Sequence, residues 1–256
     1  MARKPRIEIA GYYHIVNRGV ERRVVFYDKD DFEYFINLLS NGCEKFNIVL
    51  HNYCLMNNHY HLLIELKDEN LSLFMRYLNS TYAIYFNKKY KRTGHLWQGR
   101  FKSWYVANEA YLYILMRYIE QNPLKAKMVD KIEYYPYSSS YHFFKTNQIP
   151  KYLKNSWIIK TYEKDIKEIE SFFTLEIDSV DLNELKKASS LVEAPDIEKK
   201  IDKEKLKKLF DNISNNKQRN KKIIESYKQG YSQYIIANII GISQPAVNKI
   251  IKRSGV

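Results

Sequence analysis

Two histidines separated by a single residue, His59 and His61, have the clearest potential for chemistry in this sequence. The run from 59 to 65 has the composition of a β-strand, and the pair Asn57-Asn58 before it is a turn signal. Alternate side chains of a strand share a face, so both imidazoles would point to one place. Two nitrogens alone hold a hard divalent ion weakly, which predicts a third ligand from elsewhere. A chance pairing of histidines on a half-exposed strand is the alternative.

A helix predicted over residues 109–121 has a tyrosine and an amide at the spacing that such a site needs. Residues four apart on a helix face the same way, so Tyr118 and Asn122 would present a phenol and a carbonyl oxygen together. The chain has 23 tyrosines, and a core or surface position is the default for each. Two earlier tyrosines of this helix have no metal ligand four residues later. Because Pro123 disfavours helical geometry at Asn122, Gln121 is a competing ligand.

The elements that must position these groups follow a regular order along the chain. Strands and hairpin arms are predicted over 12–17, 48–56, 59–65 and 103–107, and helices over 28–46, 71–86 and 109–121. This order predicts an α+β fold in which helices pack on one face of a ferredoxin-like antiparallel sheet. We expect this catalytic domain over residues 1–148, a helical connector over 149–211 and a helix-turn-helix domain over 212–256.

The net charge of +13 is concentrated at the two ends of the chain. Lys and Arg outnumber Asp and Glu by 21 to 14 in residues 1–150 and by 8 to 1 in residues 212–256, whereas residues 151–211 have 13 against 14. This distribution predicts two modules that contact a phosphate backbone, with a neutral spacer between them. No apolar run approaches the roughly 18 residues of a membrane span. Two cysteines and no secretory signal favour a cytoplasmic, nucleoid-associated protein.

Three stretches of the sequence resemble one protein family. They are Met-Asn-Asn-His-Tyr-His at 56–61, Gly-His-Leu-Trp-Gln-Gly-Arg-Phe-Lys-Ser at 94–103, and Arg-Tyr-Ile-Glu-Gln-Asn-Pro at 117–123. Together they resemble the single-tyrosine transposases of the HUH endonuclease superfamily, and most closely the REP-associated tyrosine transposases, which are relatives of insertion-sequence transposases. The resemblance covers about residues 8–145. Asn57 replaces a proline often found there, which puts only the geometry of the turn in question.

The resemblance implies a metal-dependent endonuclease and strand transferase for single-stranded, hairpin or palindromic DNA. His59, His61 and Asn122 match the ligands of Mg²⁺ or Mn²⁺, and Tyr118 matches the nucleophile that forms a 5′-phosphotyrosine intermediate. Two alternatives remain: a replication-initiator or relaxase relative with the same chemistry, and a non-enzymatic DNA-binding regulator derived from a transposase. No membrane partner is expected, and either a monomer or a homodimer is consistent with the family.

Other residues are predicted to contact DNA. Near the catalytic site, basic side chains surround an aromatic residue that could stack on bases, although Trp97 could equally be a core residue. In the C-terminal module, the second of two short helices is predicted to enter the major groove of duplex DNA, with a protein-binding helical bundle as the alternative. The candidates are Arg22, Arg23, Arg92, Trp97, Gln98, Arg100 and Lys102 in the first module, and Gln244, Asn248, Lys249 and Lys252 in the second.

Overall fold

The computed structural model describes residues 8–107, 109–144, 148–163, 165–177, 203–211, 213, 215–229 and 233–254. Its first elements are β1 (Gly11–Arg18), α1 (Lys29–Lys45), β2 (Ile48–Met56), β3 (His59–Leu66), α2 (Leu71–Lys89) and β4 (Lys102–Tyr105). The four strands form one antiparallel sheet in the order β2-β3-β1-β4. This β-α-β-β-α-β order with β1 and β3 at the centre is ferredoxin-like, so the predicted α+β class is confirmed.

The two long helices are joined to each other at their ends by two carboxylates, of which one is exposed and one is buried. Asp28 and Asp31 form a capping box at the start of α1, which satisfies backbone N–H groups of its first turn. Lys89, at the end of α2, reaches both carboxylates at 2.7 and 2.9 Å. Asp31 is fully buried and also accepts a hydrogen bond from Tyr90. These contacts hold α1 and α2 side by side against one face of the sheet.

Helices cover both faces of the sheet. Neighbouring residues of β3 point in opposite directions, so they contact different helices. Tyr60 packs against Phe35 of α1, with ring centroids 4.9 Å apart, and against Trp97 at 5.5 Å. His61, the next residue, faces a third helix, α3 (Glu109–Glu120), on the other side. The expectation of helices on one face therefore holds for α1 and α2, whereas α3 adds a layer on the opposite face.

The residues after α3 continue the same hydrophobic core as far as Ile177. They include four short helices: α4 (Asn122–Lys125), α5 (Ser139–Phe144), α6 (Trp157–Tyr162) and α7 (Ile166–Thr174). Tyr113 of α3 packs against Trp157, with centroids 4.9 Å apart, and against Phe172 at 6.1 Å. The first part of the predicted connector thus covers the outer side of α3. None of the described helices is long and apolar enough to cross a membrane.

Four helices at the C-terminal end have a small core of their own. They are α8 (Lys203–Leu209), α9 (Asn216–Lys228), α10 (Gln233–Ile240) and α11 (Gln244–Arg253). Their core consists of Leu206, Ile223, Ile236, Ala237, Val247 and Ile251. Gly241, with φ of 70°, turns the chain between α10 and α11 in the left-handed region that glycine tolerates. A DNA-binding role for the two short helices α10 and α11 stays a prediction.

Glu120, the last residue of α3, is fully buried and joins this helix to the sheet. Its carboxyl oxygens accept hydrogen bonds from Nδ2 of Asn52 on β2, at 2.7 Å, and from the backbone N–H of Ser140 on α5, at 2.9 Å. Burial raises the pKa of Glu120 to about 7, although these hydrogen bonds favour the ionised form. The carboxyl group therefore fixes the end of α3 two residues after Tyr118.

Glu120→Ala is expected to lower the free energy of unfolding by on the order of 3 kcal/mol, because it leaves two buried N–H donors without an acceptor and opens a cavity. Urea unfolding measures the loss. Glu33→Ala is the matched control, since Glu33 pairs with Lys29 at the surface, at 3.1 Å, and should cost less than about 1 kcal/mol. Equal losses in the two variants would show that Glu120 does not anchor α3.

Candidate active site

His59 is positioned by the residue that precedes it in the β2–β3 turn. Nδ1 of His59 lies 2.6 Å from Oδ1 of Asn58, and Nδ2 of Asn58 donates to the backbone carbonyl of Arg22 at 3.1 Å. The contact with Arg22 fixes which end of the amide faces the imidazole, so Nδ1 of His59 must be the protonated nitrogen. Nε2 of His59 is therefore left with a lone pair. Burial, and then the charge of Arg18, lowers the pKa of His59.

His61 is buried and is in contact with a third histidine, His14 of β1. Nε2 of His14 lies 3.0 Å from Nδ1 of His61, and the two rings stack with centroids 5.3 Å apart. Burial lowers the pKa of His14 to about 3 and holds the pKa of His61 well below its ordinary value, so both rings are neutral at neutral pH. Because Nδ1 of His61 is engaged, Nε2 is the nitrogen available to a ligand.

Tyr118 of α3 lies directly beside this histidine pair. Its ring meets the ring of His61 edge-on, with centroids 5.8 Å apart, and the rings of His59 and His61 are 5.2 Å apart. Tyr118 is partly buried, and burial raises the pKa of its phenol. The residues that the sequence analysis assigned to the nucleophile and to two ligands, 57 positions apart along the chain, therefore meet at one place.

The two candidate amide ligands differ in their surroundings. Nδ2 of Asn122 donates to the backbone carbonyl of Tyr118 at 2.7 Å, which places the Asn122 amide at the end of α3. Nε2 of Gln121 instead donates to the carbonyls of Phe173 and Leu175, at 2.9 and 3.2 Å. The Gln121 amide is thus used to attach α7 to α3. These contacts favour Asn122 as the third ligand, and the assignment stays a prediction.

Three cations lie around this site, and we call Arg18, Lys102 and Lys125 the basic rim. In the sheet register Arg18 is opposite His59, and Lys102 is opposite Val16, which is itself opposite His61. Directly paired residues point to the same face, so Arg18 and Lys102 share the face of the histidines. Lys125 of α4 lies with Nζ 5.2 Å from the ring centroid of Tyr118. The rim would attract a phosphate backbone to this face.

Four residues of this arrangement were missed by the sequence analysis: His14, Arg18, Asn58 and Lys125. The alternation of the predicted strand 12–17 puts His14 and Val16 on one face, but it does not reveal which strand pairs with β1 or in what register. The signal for Asn58 was present, because a residue that begins a tight turn commonly bonds its neighbours. Lys125 is seven residues after Tyr118, which is two turns of a helix, although Pro123 interrupts the helix there.

The loop over 94–101 lies along the end of β1, next to the basic rim. The backbone N–H of Gln98 donates to the carbonyl of Arg18 at 2.9 Å, and the Arg18 guanidinium donates to the Gln98 side chain. The loop and α2 together enclose a groove of about 780 Å³. Its floor includes Trp97 and Phe101, and its lining includes the cations Arg76 and Arg100. Gln98 and Arg100, both predicted to contact DNA, are exposed at this groove.

Trp97 lies in the core beneath this loop. Only 9% of it is exposed, its ring packs against Tyr60 and Tyr82, and Nε1 donates to the backbone carbonyl of Asn79 at 3.0 Å. This position favours the alternative that Trp97 is a core residue over the prediction that it stacks on bases. The loop offers DNA its polar and basic side chains instead.

The remaining predicted contact residues are more distant or less fully described. Arg22 and Arg23 are exposed next to the β2–β3 turn, where Arg23 pairs with Glu21 at 2.5 Å. Arg92 is half-buried over the ring of Phe86. Lys249 is exposed on α11, whereas the side chains of the other three candidates on this helix lie outside the described residues: Gln244, Asn248 and Lys252.

The donor atoms of the site fit a divalent metal ion with oxygen-rich coordination. Nδ1 of His59 and of His61 is engaged by a neighbouring side chain, so both rings can offer Nε2. Within the part of the chain that the structure describes, no group of three His, Cys, Asp or Glu side chains could hold a metal. A metal here would therefore need the amide oxygen of Asn122, water and phosphate oxygens, which suits Mg²⁺ or Mn²⁺.

A ferredoxin-like sheet with a His-x-His strand and a tyrosine helix across its face is the arrangement that the resemblance to single-tyrosine transposases implies. Residues 9–122 match the family model described as "Transposase IS200 like". This part of the chain is similar to that family, and the resemblance inferred from the three motifs is confirmed. The match supports a transposase-like function on DNA.

One curated relative and two solved structures are similar to parts of this chain. A REP-associated tyrosine transposase of Haemophilus influenzae is 27% identical over 143 residues, which cover 51% of this chain and 81% of that protein. A solved REP-associated tyrosine transposase bound to a REP hairpin gives a TM-score of 0.48 at 18% identity, covering 59% of this chain and 89% of the other. A transposase structure from Deinococcus radiodurans gives 0.34 at 18% identity, covering 47% and 97%.

Trp97→Phe is expected to lower the free energy of unfolding by about 1–2 kcal/mol, because it removes the hydrogen bond to Asn79 and part of a buried ring. Affinity for a single-stranded oligonucleotide, measured by fluorescence anisotropy, should not change. Loss of a stacking contact would instead weaken binding by about 1–3 kcal/mol, which is roughly five-fold or more. For stability, Gln98→Ala at the exposed neighbour is the control, because it changes the loop without changing the core.

Proposed function

We propose that this chain is a metal-dependent endonuclease and strand transferase for single-stranded or hairpin DNA, with Tyr118 as its nucleophile. The main support is the position of the Tyr118 ring beside His61, with centroids 5.8 Å apart. The phenol and the imidazoles come from one chain, so a single copy would have a complete set of reacting groups. DNA as the substrate implies a location at the nucleoid.

Tyr118 acts by attack on a phosphodiester. Its Oη forms a bond to phosphorus, the bond from phosphorus to the 3′ oxygen breaks, and the 3′ oxygen leaves as a hydroxyl after it gains a proton. The product is a 5′-phosphotyrosine that keeps the energy of the phosphodiester for rejoining. The reverse attack, by a 3′-hydroxyl on this linkage, would transfer the strand and release the phenol. No nucleotide cofactor is needed for either step.

The ligands that we assign to Mg²⁺ or Mn²⁺ are Nε2 of His59, Nε2 of His61 and Oδ1 of Asn122. When bound, the ion supplies Lewis-acid polarisation of the phosphate and holds it in line with the nucleophile. The protein contributes orientation, since Asn58 fixes the ring of His59 and the sheet fixes the position of His61. The end of α3 fixes Tyr118 and Asn122 relative to each other.

Lys125 is the group best placed to assist the phenol. Burial raises the pKa of Tyr118, which makes the nucleophilic phenolate rarer at neutral pH. A cation whose Nζ lies 5.2 Å from the ring centroid would favour negative charge on this ring. We therefore assign Lys125 the role of stabilising the phenolate, and the proton leaves to solvent.

The DNA strand would lie across the face of the sheet that carries the basic rim. Arg18 and Lys102 are on the histidine face, where they would contact phosphates of the bound strand. The groove between α2 and loop 94–101 begins next to Arg18 and has Arg76 and Arg100 in its lining. A flexible single strand or a hairpin end can bend to run from the sheet face into this groove, whereas a continuous duplex resists bending.

The C-terminal helices α9 to α11 would bind duplex DNA as a helix-turn-helix. Gly241 provides the tight turn, and Ser243 accepts a hydrogen bond from the N–H of Ala246 at 3.4 Å at the start of α11. Lys249 is exposed on this helix, where it would contact a phosphate or a base edge. The catalytic domain and this module would then bind two parts of one DNA target.

Tyr118→Phe is expected to abolish the covalent adduct between the protein and a labelled hairpin oligonucleotide in the presence of Mn²⁺. The variant keeps the ring but lacks the attacking oxygen, so binding of the hairpin should persist while cleavage is lost. Denaturing gel electrophoresis resolves the adduct and the cleaved strand. Tyr111→Phe is the matched control, because Tyr111 lies in the same helix and its buried hydroxyl has no hydrogen-bond partner among the described residues.

An adduct that persists in Tyr118→Phe would exclude this nucleophile. No cleavage by the wild type or either variant, with hairpin binding intact, would favour a DNA-binding regulator over the enzyme. Adduct formation by the wild type and by Tyr111→Phe, without strand joining, would favour a nickase of the replication-initiator or relaxase kind.

Lys249→Ala is expected to weaken binding of duplex DNA and to reduce the slope of log affinity against log salt by about 0.9, the value for one lost phosphate contact. Hairpin cleavage by the catalytic domain should be unchanged at saturating DNA. Lys154→Ala, an exposed lysine outside the C-terminal helices, is the matched control for net charge. An unchanged affinity and slope in Lys249→Ala would favour a protein-binding role for this module.

A further inference from the structure

We infer that His14 is a positioning residue for the metal site: its Nε2 accepts a hydrogen bond from the Nδ1–H of His61 and so leaves Nε2 of His61 free to face the ion. This inference rests on the proposed function and adds a residue to it. The geometry that supports it is the 3.0 Å contact between Nε2 of His14 and Nδ1 of His61 inside the sheet. His14 lies outside the three sequence motifs, at 56–61, 94–103 and 117–123, on which the family resemblance is based.

The proton on the His14–His61 hydrogen bond has two possible positions. If Nε2 of His14 carries it, His14 donates to Nδ1 of His61, and Nε2 of His61 is then the protonated nitrogen of that neutral ring. If Nδ1 of His61 carries it, Nε2 of His61 has a free lone pair. Only the second form can bind a metal through Nε2. His14 must therefore act as the acceptor whenever the site is loaded.

The position of His14 makes it a rigid acceptor. It lies on the central strand β1, where it pairs in register with Leu63 of β3 and Trp104 of β4. Its ring is stacked with His61 at an interplanar angle of 15° on one side and packs against Trp104, with centroids 5.1 Å apart, on the other. A ring held between two others cannot turn away, so the hydrogen bond also fixes the plane of His61.

The role of His14 as a third metal ligand is disfavoured by the same contact. Nε2 of His14 faces Nδ1 of His61 rather than the nitrogen that His61 would offer to a metal. Nδ1 of His14 is buried and has no hydrogen-bond partner in the part of the chain that the structure describes. His14 thus acts on the site through His61, which is why we assign it to positioning and not to catalysis.

The test compares three substitutions of His14 that differ in where they can accept a hydrogen bond. The amide oxygen of His14→Gln reaches approximately the position of Nε2, whereas the oxygen of His14→Asn is too close to the backbone, and His14→Phe has no acceptor. Binding of Mn²⁺ to the full chain with a hairpin oligonucleotide is measured by electron paramagnetic resonance. Loss of the hydrogen-bond partner of a metal-bound histidine typically lowers the affinity for the metal by about 10–100-fold. We expect this loss of Mn²⁺ affinity in His14→Phe and His14→Asn but not in His14→Gln.

A second readout reports the proton itself. Long-range ¹H–¹⁵N spectra of the wild type with Mg²⁺ and hairpin should show His61 protonated on Nδ1, with the signals assigned by their loss in His61→Ala. Equal Mn²⁺ affinity in the wild type, His14→Phe and His14→Asn would overturn the role of His14 and leave the proposed function intact. If the wild type binds Mn²⁺ no better than His61→Ala, the metal site itself is wrong, and the inference fails with it.

Discussion

The pairing register of β1 with β3 is the constraint on which the candidate site depends. Arg18 is opposite His59 and Val16 is opposite His61, which places His14 diagonally next to His61 on the same face. Because side chains alternate along a strand, a shift of one residue would turn the histidines into the layer that Tyr60 occupies against α1 and α2. The apolar residues Tyr60, Leu62 and Ile64, all fully buried on that opposite face, oppose such a shift. Burial on one face of β3 thus fixes the chemistry on the other.

The parts of the site that sequence could predict are those set by local periodicity. The spacing of two fixes His59 and His61 on one face of a strand, and the spacing of four places Tyr118 near Asn122 on a helix. Their meeting, and the third imidazole, depend on which strands pair and on how α3 crosses the sheet. No local pattern encodes those contacts, so His14 and Arg18 are visible only in the structure. For Trp97, the neighbouring basic residues in the sequence indicated an exposed DNA contact. They gave no sign that its ring is buried in the core.

The burial of α3 on two sides has a signal in the sequence that we interpreted too narrowly. The spacing of Leu112, Leu115, Met116 and Ile119 predicts a single core stripe, yet every residue from 111 to 116 is buried. A helix that is apolar all round needs partners on opposite sides. The sheet provides one partner, and α6 and α7 provide the other through Trp157 and Phe172. The mixed charged pattern after residue 150 hides these apolar contacts, which explains why the packing of the connector could not be predicted.

The charges of the proposed site would make metal binding depend on whether DNA is bound. All three proposed ligands are neutral, because burial keeps the imidazoles unprotonated and an amide has no charge. A divalent ion held by neutral ligands keeps its full charge, so its binding would be strengthened by an anionic phosphate brought by DNA. Arg18, Lys102 and Lys125 add positive charge at the same face, which repels a free cation but attracts the phosphate. The metal and the DNA would therefore bind together, and the nucleophile would meet an activated phosphate only when a strand is in place.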